Sequence, residues 1–246
     1  MFFLNIGSCM SKATRNSLVQ DIVTRWNSTL AMFQRILQQQ RALTLAHIDF
    51  PELKLLNVPT YKCLQDTLSA KFVVIGALRE DGVIDKNADI NIIFARAAGF
   101  VDIDIYFYPC ASCINEIKDT LKYLEDYNAK FNRVWLCIWG VTDAKNPEGW
   151  SSVQDKNVEI IKKMVDTVKG KNYDYGIYTS RDNWIEITGN TREFNDAPLL
   201  YYNYDYKNNF DDFYRNPFGG WQTPTMKLYT YYKKVCGAEV WSLWKP

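Results

Sequence analysis

Along residues 71–246 short apolar runs alternate with stretches in which apolar positions recur every three or four residues. The runs at 71–78, 101–108, 133–140, 174–179, 199–204, 226–231 and 239–244 have the length and the β-branched and aromatic content of buried strands. Between them, 88–98, 114–127, 153–168 and 184–187 carry the helical period. Ile117, Leu121 and Leu124 share one face of the second of these helices, and Val158, Ile161, Val165 and Val168 share one face of the third. Gly99 and Gly189 stand where helices end, and Asp81-Gly82 reads as a turn. Upstream, Leu18, Ile22, Trp26, Leu30, Phe33 and Leu37 mark a separate amphipathic helix over 12–46.

Strands alternating with helices predict a parallel sheet. Several such units in under 200 residues point to a compact, modified and irregular TIM-like β/α barrel with an added N-terminal helix. An open doubly wound sheet competes. It usually carries a glycine-rich phosphate loop after its first strand, and neither G-x-G-x-x-G nor G-x-x-x-x-G-K-[ST] occurs here. The expected division is an N-terminal helical extension over 1–57 and the barrel over 58–246.

A net charge of +1 gives no electrostatic reason to expect nucleic acid or an anionic membrane as partner. No run approaches the roughly 18 apolar residues of a membrane span, and the first ten residues lack the basic start and sustained apolar run of a signal peptide. His47 is the single histidine, which excludes a zinc site built on several histidines. No metal or other cofactor is expected. Cys110-Ala-Ser-Cys113 is the one C-x-x-C, readable as a redox pair or as a small-loop disulfide. Aromatic residues make up 15% of the chain, enough for either a sugar-binding groove or a large aromatic core.

Two resemblances refine this. The run around T-R-W-N-S-T (24–29) resembles a fragment of hAT-type transposases, about 30 residues long and without their acidic triad. From 58 onward, G-V-I-D-K-N-A (82–88), A-R-A-A-G-F (95–100), D-I-Y-F-Y-P-C-A-S-C (104–113), G-I-Y-T-S (176–180), W-I-E-I-T-G (184–189), F-G-G-W-Q-T-P-T-M-K (218–227) and V-C-G (235–237) stand in order. This ordered set resembles the glycoside hydrolase family 25 lysozymes of the amoeba and nematode type. The resemblance implies a secreted or lysosomal monomeric muramidase that needs no metal, acts on peptidoglycan or a related amino-sugar glycan, and serves cell-wall breakdown and defence. It also implies the pairs Cys63–Cys236 and Cys110–Cys113.

One strand departs from the family. Where active relatives commonly read W-L-D-I-E-G, this chain reads V-W-L-C-I-W-G (134–140). Positions two apart on a strand share a face, so Cys137 and Trp139 replace an inward acid pair. The candidate acids that remain are Asp104, Asp49 in a possible remnant of the family's first strand, and Glu239 near Trp241, which itself matches a late family Asp. Tyr106, Trp139, Tyr178 and Tyr202 lie at or near strand C-terminal ends, where a barrel builds its site, as sugar contacts or as core packing. The expectation is a lysozyme-like glycosidase with impaired catalysis, the alternative a non-catalytic glycan-binding or defence-related protein on the same scaffold.

Overall fold

The structure, a computed structural model, describes residues 55–79, 82–108, 111–140 and 149–246. They belong to one compact unit, Leu55–Pro246. The helix expected over 12–46, together with Asp49 and Cys110, lies outside the described residues.

Chain order is α1 (Val58–Leu68), β1 (Phe72–Leu78), α2 (Ala88–Ala97), β2 (Asp102–Phe107), α3 (Ile114–Asp126), β3 (Arg133–Ile138), α4 (Gln154–Lys169), β4 (Asp174–Thr179), α5 (Arg181–Thr188), β5 (Leu199–Tyr202), α6 (Asp211–Arg215), β6 (Met226–Leu228), β7 (Lys233–Val235), β8 (Ala238–Val240) and β9 (Leu243–Trp244). Strands β1 to β6 lie side by side in sequence order, all parallel, and β9 adds antiparallel to β6. This is a mixed α/β fold whose sheet curls into a half-barrel. The curl brings its two ends together at the bottom. Lys245, just past β9, pairs with Asp102 at the start of β2 and lies 4.5 Å over the ring of Phe72 at the start of β1.

Alternation along each strand sorts the side chains. Ile75 and Ala77, Ile103 and Ile105, Val134, Leu136 and Ile138, and Ile177 face the helices and join one large core. Helices α3 and α4 press their apolar stripes, Ile117, Leu121 and Leu124 and Val158, Ile161, Val165 and Val168, into it. The opposite phase fills the inside of the curl with Trp135, Leu200, Met226 and Leu228, against Phe72, Val74, Tyr106 and Tyr178. A strand buried on both faces reads as continuously apolar, which is why β3 is R-V-W-L-C-I.

Several elements differ from the reading of the sequence. α1 was not foreseen, because only Tyr61 and Leu64 are buried along its inward face. Asn57 starts it, its Oδ1 accepting the Thr60 N–H at 2.9 Å. α5 begins at Arg181 rather than 184, because the Ser180 hydroxyl caps it by accepting the Asn183 N–H. The single strand expected at 239–244 is two. Cys236 and Gly237 both take positive φ, 56° and 74°, which makes the tight turn of a separate β7–β8 hairpin. Cys236 is disulfide-bonded to Cys63 on α1, with Cα atoms 5.9 Å apart.

A fully buried lysine ties down the loop after β5. Lys227 Nζ on β6 donates to Asp205 at 2.9 Å, Asp212 at 2.7 Å and the Asn209 carbonyl at 3.1 Å. Burial pushes the Asp212 carboxyl up, but hydrogen bonds from Asn203, Lys227 and Tyr201 outweigh it and hold the group below its ordinary range.

Two glycines set how tightly the inside packs. A Cβ on Gly176 would lie 2.4 Å from the Trp135 ring, and one on Gly76 would lie 2.9 Å from the Tyr106 ring. Gly176→Ala should therefore displace Trp135 and lower stability by about 1–3 kcal/mol, measured as a drop in the denaturant midpoint. An unchanged midpoint would mean that the indole has room to move.

Candidate functional site

Parallel strands present their C-terminal ends together, and there the inward phase meets solvent. β2 contributes Tyr106 and, just past its end, Tyr108. β3 contributes Cys137 and then Trp139, β4 contributes Tyr178, and β5 contributes Tyr202. The structure brings these together. The half-buried Trp139 indole is at the centre, meeting Tyr108 (5.1 Å), Tyr178 (4.8 Å) and Tyr202 (6.0 Å) edge to face at close to 90°. Tyr106 meets Tyr178 at 6.4 Å. Edge-to-face contact is the favoured geometry for aromatic pairs, so the cluster is self-supporting.

Polar groups fix the rim. Trp150 Nε1 donates to the Trp139 carbonyl at 2.8 Å. Asn183 on α5 donates to the Tyr202 hydroxyl at 2.6 Å and accepts the Gly140 N–H at 3.0 Å. Tyr108 and Asn183 were missed as rim residues in the sequence. Tyr108 could have been found, since it continues the Asp104, Tyr106 phase of β2. Asn183 carries no such signal, because its partners come from other strands.

Cys137 is a buried free thiol beneath this lid. Burial pushes its pKa well up, so it stays neutral. The hollow behind it, between Leu78, Tyr108 and Met164, has no room for a water molecule. Burial likewise raises the phenols of Tyr106 and Tyr178.

The two candidate acids among the described residues stand on different elements. Asp104 lies one inward step below Tyr106, 4% exposed, and its Oδ2 accepts the Trp135 indole N–H at 2.8 Å. Burial raises its carboxyl above the ordinary value, with the Trp135 bond opposing. Glu239 is on the β7–β8 hairpin, exposed and opposite Lys234 at 3.9 Å. A half-buried acid that the sequence did not single out, Asp85, has its carboxyl raised by burial and accepts the Asn87 N–H at 2.8 Å, bracing the turn into α2. Cys113 is disulfide-bonded. Among the described residues no group of three or more His, Cys, Asp or Glu could hold a metal ion, and no helix is long and apolar enough to cross a membrane.

The family model of lysozyme-like protein 1 matches residues 44–229. "Probable GH family 25 lysozyme 2" of Dictyostelium discoideum is 32% identical over 193 residues, covering 77% of this chain and 86% of the relative. "Lysozyme-like protein 5" of Caenorhabditis elegans is 28% identical over 176 residues, covering 69% and 77%. Among solved structures, the muramidase from Trichobolus zukalii shares the fold with a TM-score of 0.55 at 19% identity, over 74% of this chain and 86% of that one.

The raised Asp104 carboxyl has a pH signature. A folded-state pKa above the ordinary 3.8 means that the folded chain holds the proton longer than the unfolded chain. Asp104 therefore contributes most below 3.8, and that contribution is lost as pH rises through its folded pKa. Asp104→Asn, whose Oδ1 still accepts from Trp135, lacks this slope. Melting midpoints of the two proteins should shift in favour of the variant as pH rises above 3.8. Parallel curves would show that burial does not penalise the carboxylate.

Proposed function

The chain belongs to the lysozyme-like proteins of glycoside hydrolase family 25, and from that membership we propose that it engages peptidoglycan or a related amino-sugar glycan with impaired hydrolysis. Cleaving a β-1,4 glycosidic bond takes one carboxylic acid to protonate the leaving oxygen and a second carboxylate to support the oxocarbenium-like centre. At the two positions where the family resemblance expects those acids, this chain has a buried neutral thiol and an indole. Neither delivers a proton at neutral pH. The carrying observation is Trp139, packed against Tyr108, Tyr178 and Tyr202 at the mouth where the scissile bond would lie.

Neither described candidate is placed to replace that acid pair. Asp104 is occupied with Trp135 below the aromatic layer, and Glu239 faces Lys234 on the hairpin. The family match starts at residue 44, which supports keeping Asp49 among the candidate acids. The second reading, glycan binding without catalysis, draws support from the same rings: Tyr106, Trp139, Tyr178 and Tyr202 offer apolar faces, and Asn183 with the Tyr202 hydroxyl offers a polar grip.

The same proposal takes residues 1–57 as an N-terminal helical extension with a transposase-like fragment at 12–46, the family match beginning inside it at residue 44, and 58–246 as the lysozyme-like domain, a monomer on an irregular barrel plan. Export or lysosomal residence is supported by the Cys63–Cys236 bridge and the bonded Cys113, since such bridges persist in oxidising compartments.

Purified peptidoglycan and bacterial walls provide the test. The unmodified chain should give little or no lysis, and Cys137→Asp/Trp139→Glu should raise the rate by about tenfold or more. Robust lysis by the unmodified chain overturns the reading and moves proton donation to Asp104, Asp49 or Glu239.

A further inference from the structure

The row of rings does not stop at the mouth. Tyr202 meets Tyr204 at 5.7 Å, Tyr204 stacks on Tyr231 at 4.3 Å and 19°, and Tyr231 meets Tyr206 at 6.3 Å. Tyr206 and Tyr231 are 66% and 56% exposed. Tyr232 and Trp241, also exposed, meet at 5.8 Å where the β7–β8 hairpin begins and ends. Exposed aromatic surface on this scale marks a place of contact.

The backbone adds an independent sign. Tyr206 has φ 61°, in the left-handed region that a bulky side chain rarely enters. The conformation is held from three sides. The Tyr206 N–H donates to the Tyr229 carbonyl at 2.9 Å. The Asp205 carboxylate accepts the Lys207 N–H at 3.0 Å and the Nζ of fully buried Lys227 at 2.9 Å. Burying an ammonium is costly, and here its charge fixes a turn whose outward product is one exposed phenol ring. Strain of this kind concentrates at ligand-contacting sites. The hairpin carrying Tyr232 and Trp241 is fixed in its turn by Cys63–Cys236. Rigid rings lose little freedom on binding.

We propose that Tyr204, Tyr206 and Tyr231, followed in the chain by Tyr232, form an outer platform that binds a peptidoglycan strand beyond the plugged mouth. The proposal rests on the glycan reading above and gives it a location. The C–H faces of β-linked N-acetylhexosamine rings stack on the aromatic faces, while their hydroxyls stay hydrated. Exposed Lys207 and Lys233, next in sequence to Tyr206 and Tyr232, suit the carboxylates of muramyl and stem-peptide groups. Such a platform works without hydrolysis.

The test compares binding of the full chain to soluble peptidoglycan fragments and to neutral chitohexaose. Tyr206→Asn removes the ring while keeping a residue that tolerates the left-handed turn, and Tyr231→Ala removes the stacked neighbour. Tyr206→Asn/Tyr231→Ala should weaken fragment binding about tenfold or more, and Tyr206→Asn alone by several-fold, each with an unchanged melting midpoint. Trp139→Ala should change binding less. Chitohexaose should bind several-fold more weakly than the fragments, with a smaller salt dependence. Undiminished fragment binding by the platform variants, with loss on Trp139→Ala, overturns the platform and leaves the glycan reading standing. Absence of binding to both ligands by the unmodified chain overturns both. Normal fragment binding with loss of self-association assigns the rings to a contact between copies and overturns the platform.

Discussion

A sheet that curls must fill its own inside, and here the largest side chain fully buried there is an indole. Trp135 is completely buried within the curl, in space left by the missing side chain of Gly176. Its N–H needs an acceptor away from water, and Asp104 on the neighbouring strand supplies one. The register of β2 against β3, Tyr106 opposite Trp135, then sets the next layer. Tyr106 comes above Asp104, and Cys137 comes above Trp135. Trp139 follows at the mouth, where Tyr108, Tyr178 and Tyr202 close around it. The aromatic mouth is thus the upper end of a column whose base is the Trp135–Asp104 bond.

This column also suits a thiol and an indole at 137 and 139. A carboxylate pair at 137 and 139 would sit in the aromatic column and needs water or ligand beside it. A thiol and an indole need neither. Cys137 is neutral under burial, and Trp139 exchanges solvent for three ring edges. The interior therefore becomes continuous from base to rim. Ring contacts then continue outward from Tyr202 through Tyr204 to Tyr231.

The parallel strands were legible because burial on both faces leaves an unbroken apolar run, as in V-W-L-C-I of β3. α3 and α4 were legible because Ile117–Leu121–Leu124 and Val158–Ile161–Val165–Val168 keep helical spacing. α1 was hidden by a narrow inward face of Tyr61 and Leu64. The β7–β8 hairpin was hidden because nothing in the sequence marks Cys236 as left-handed. At the site, position at or near strand C-terminal ends singled out Tyr106, Trp139, Tyr178 and Tyr202. It did not give Asp104, which came from the family resemblance without its depth below the rim. It could not find Asn183, whose partners belong to other strands, nor the part played by Lys227, an apparently ordinary cation in M-K-L whose two carboxylates come from a loop upstream.

The bridge between Cys63 and Cys236 spans 173 residues, which makes a covalent ring of nearly the whole domain. A peptide bond cut anywhere between those two cysteines opens the ring without releasing a piece. The two halves remain one molecule, and the core strands β1 to β6 all lie inside the loop. A single proteolytic cut that would sever a linear chain leaves this one nicked but whole.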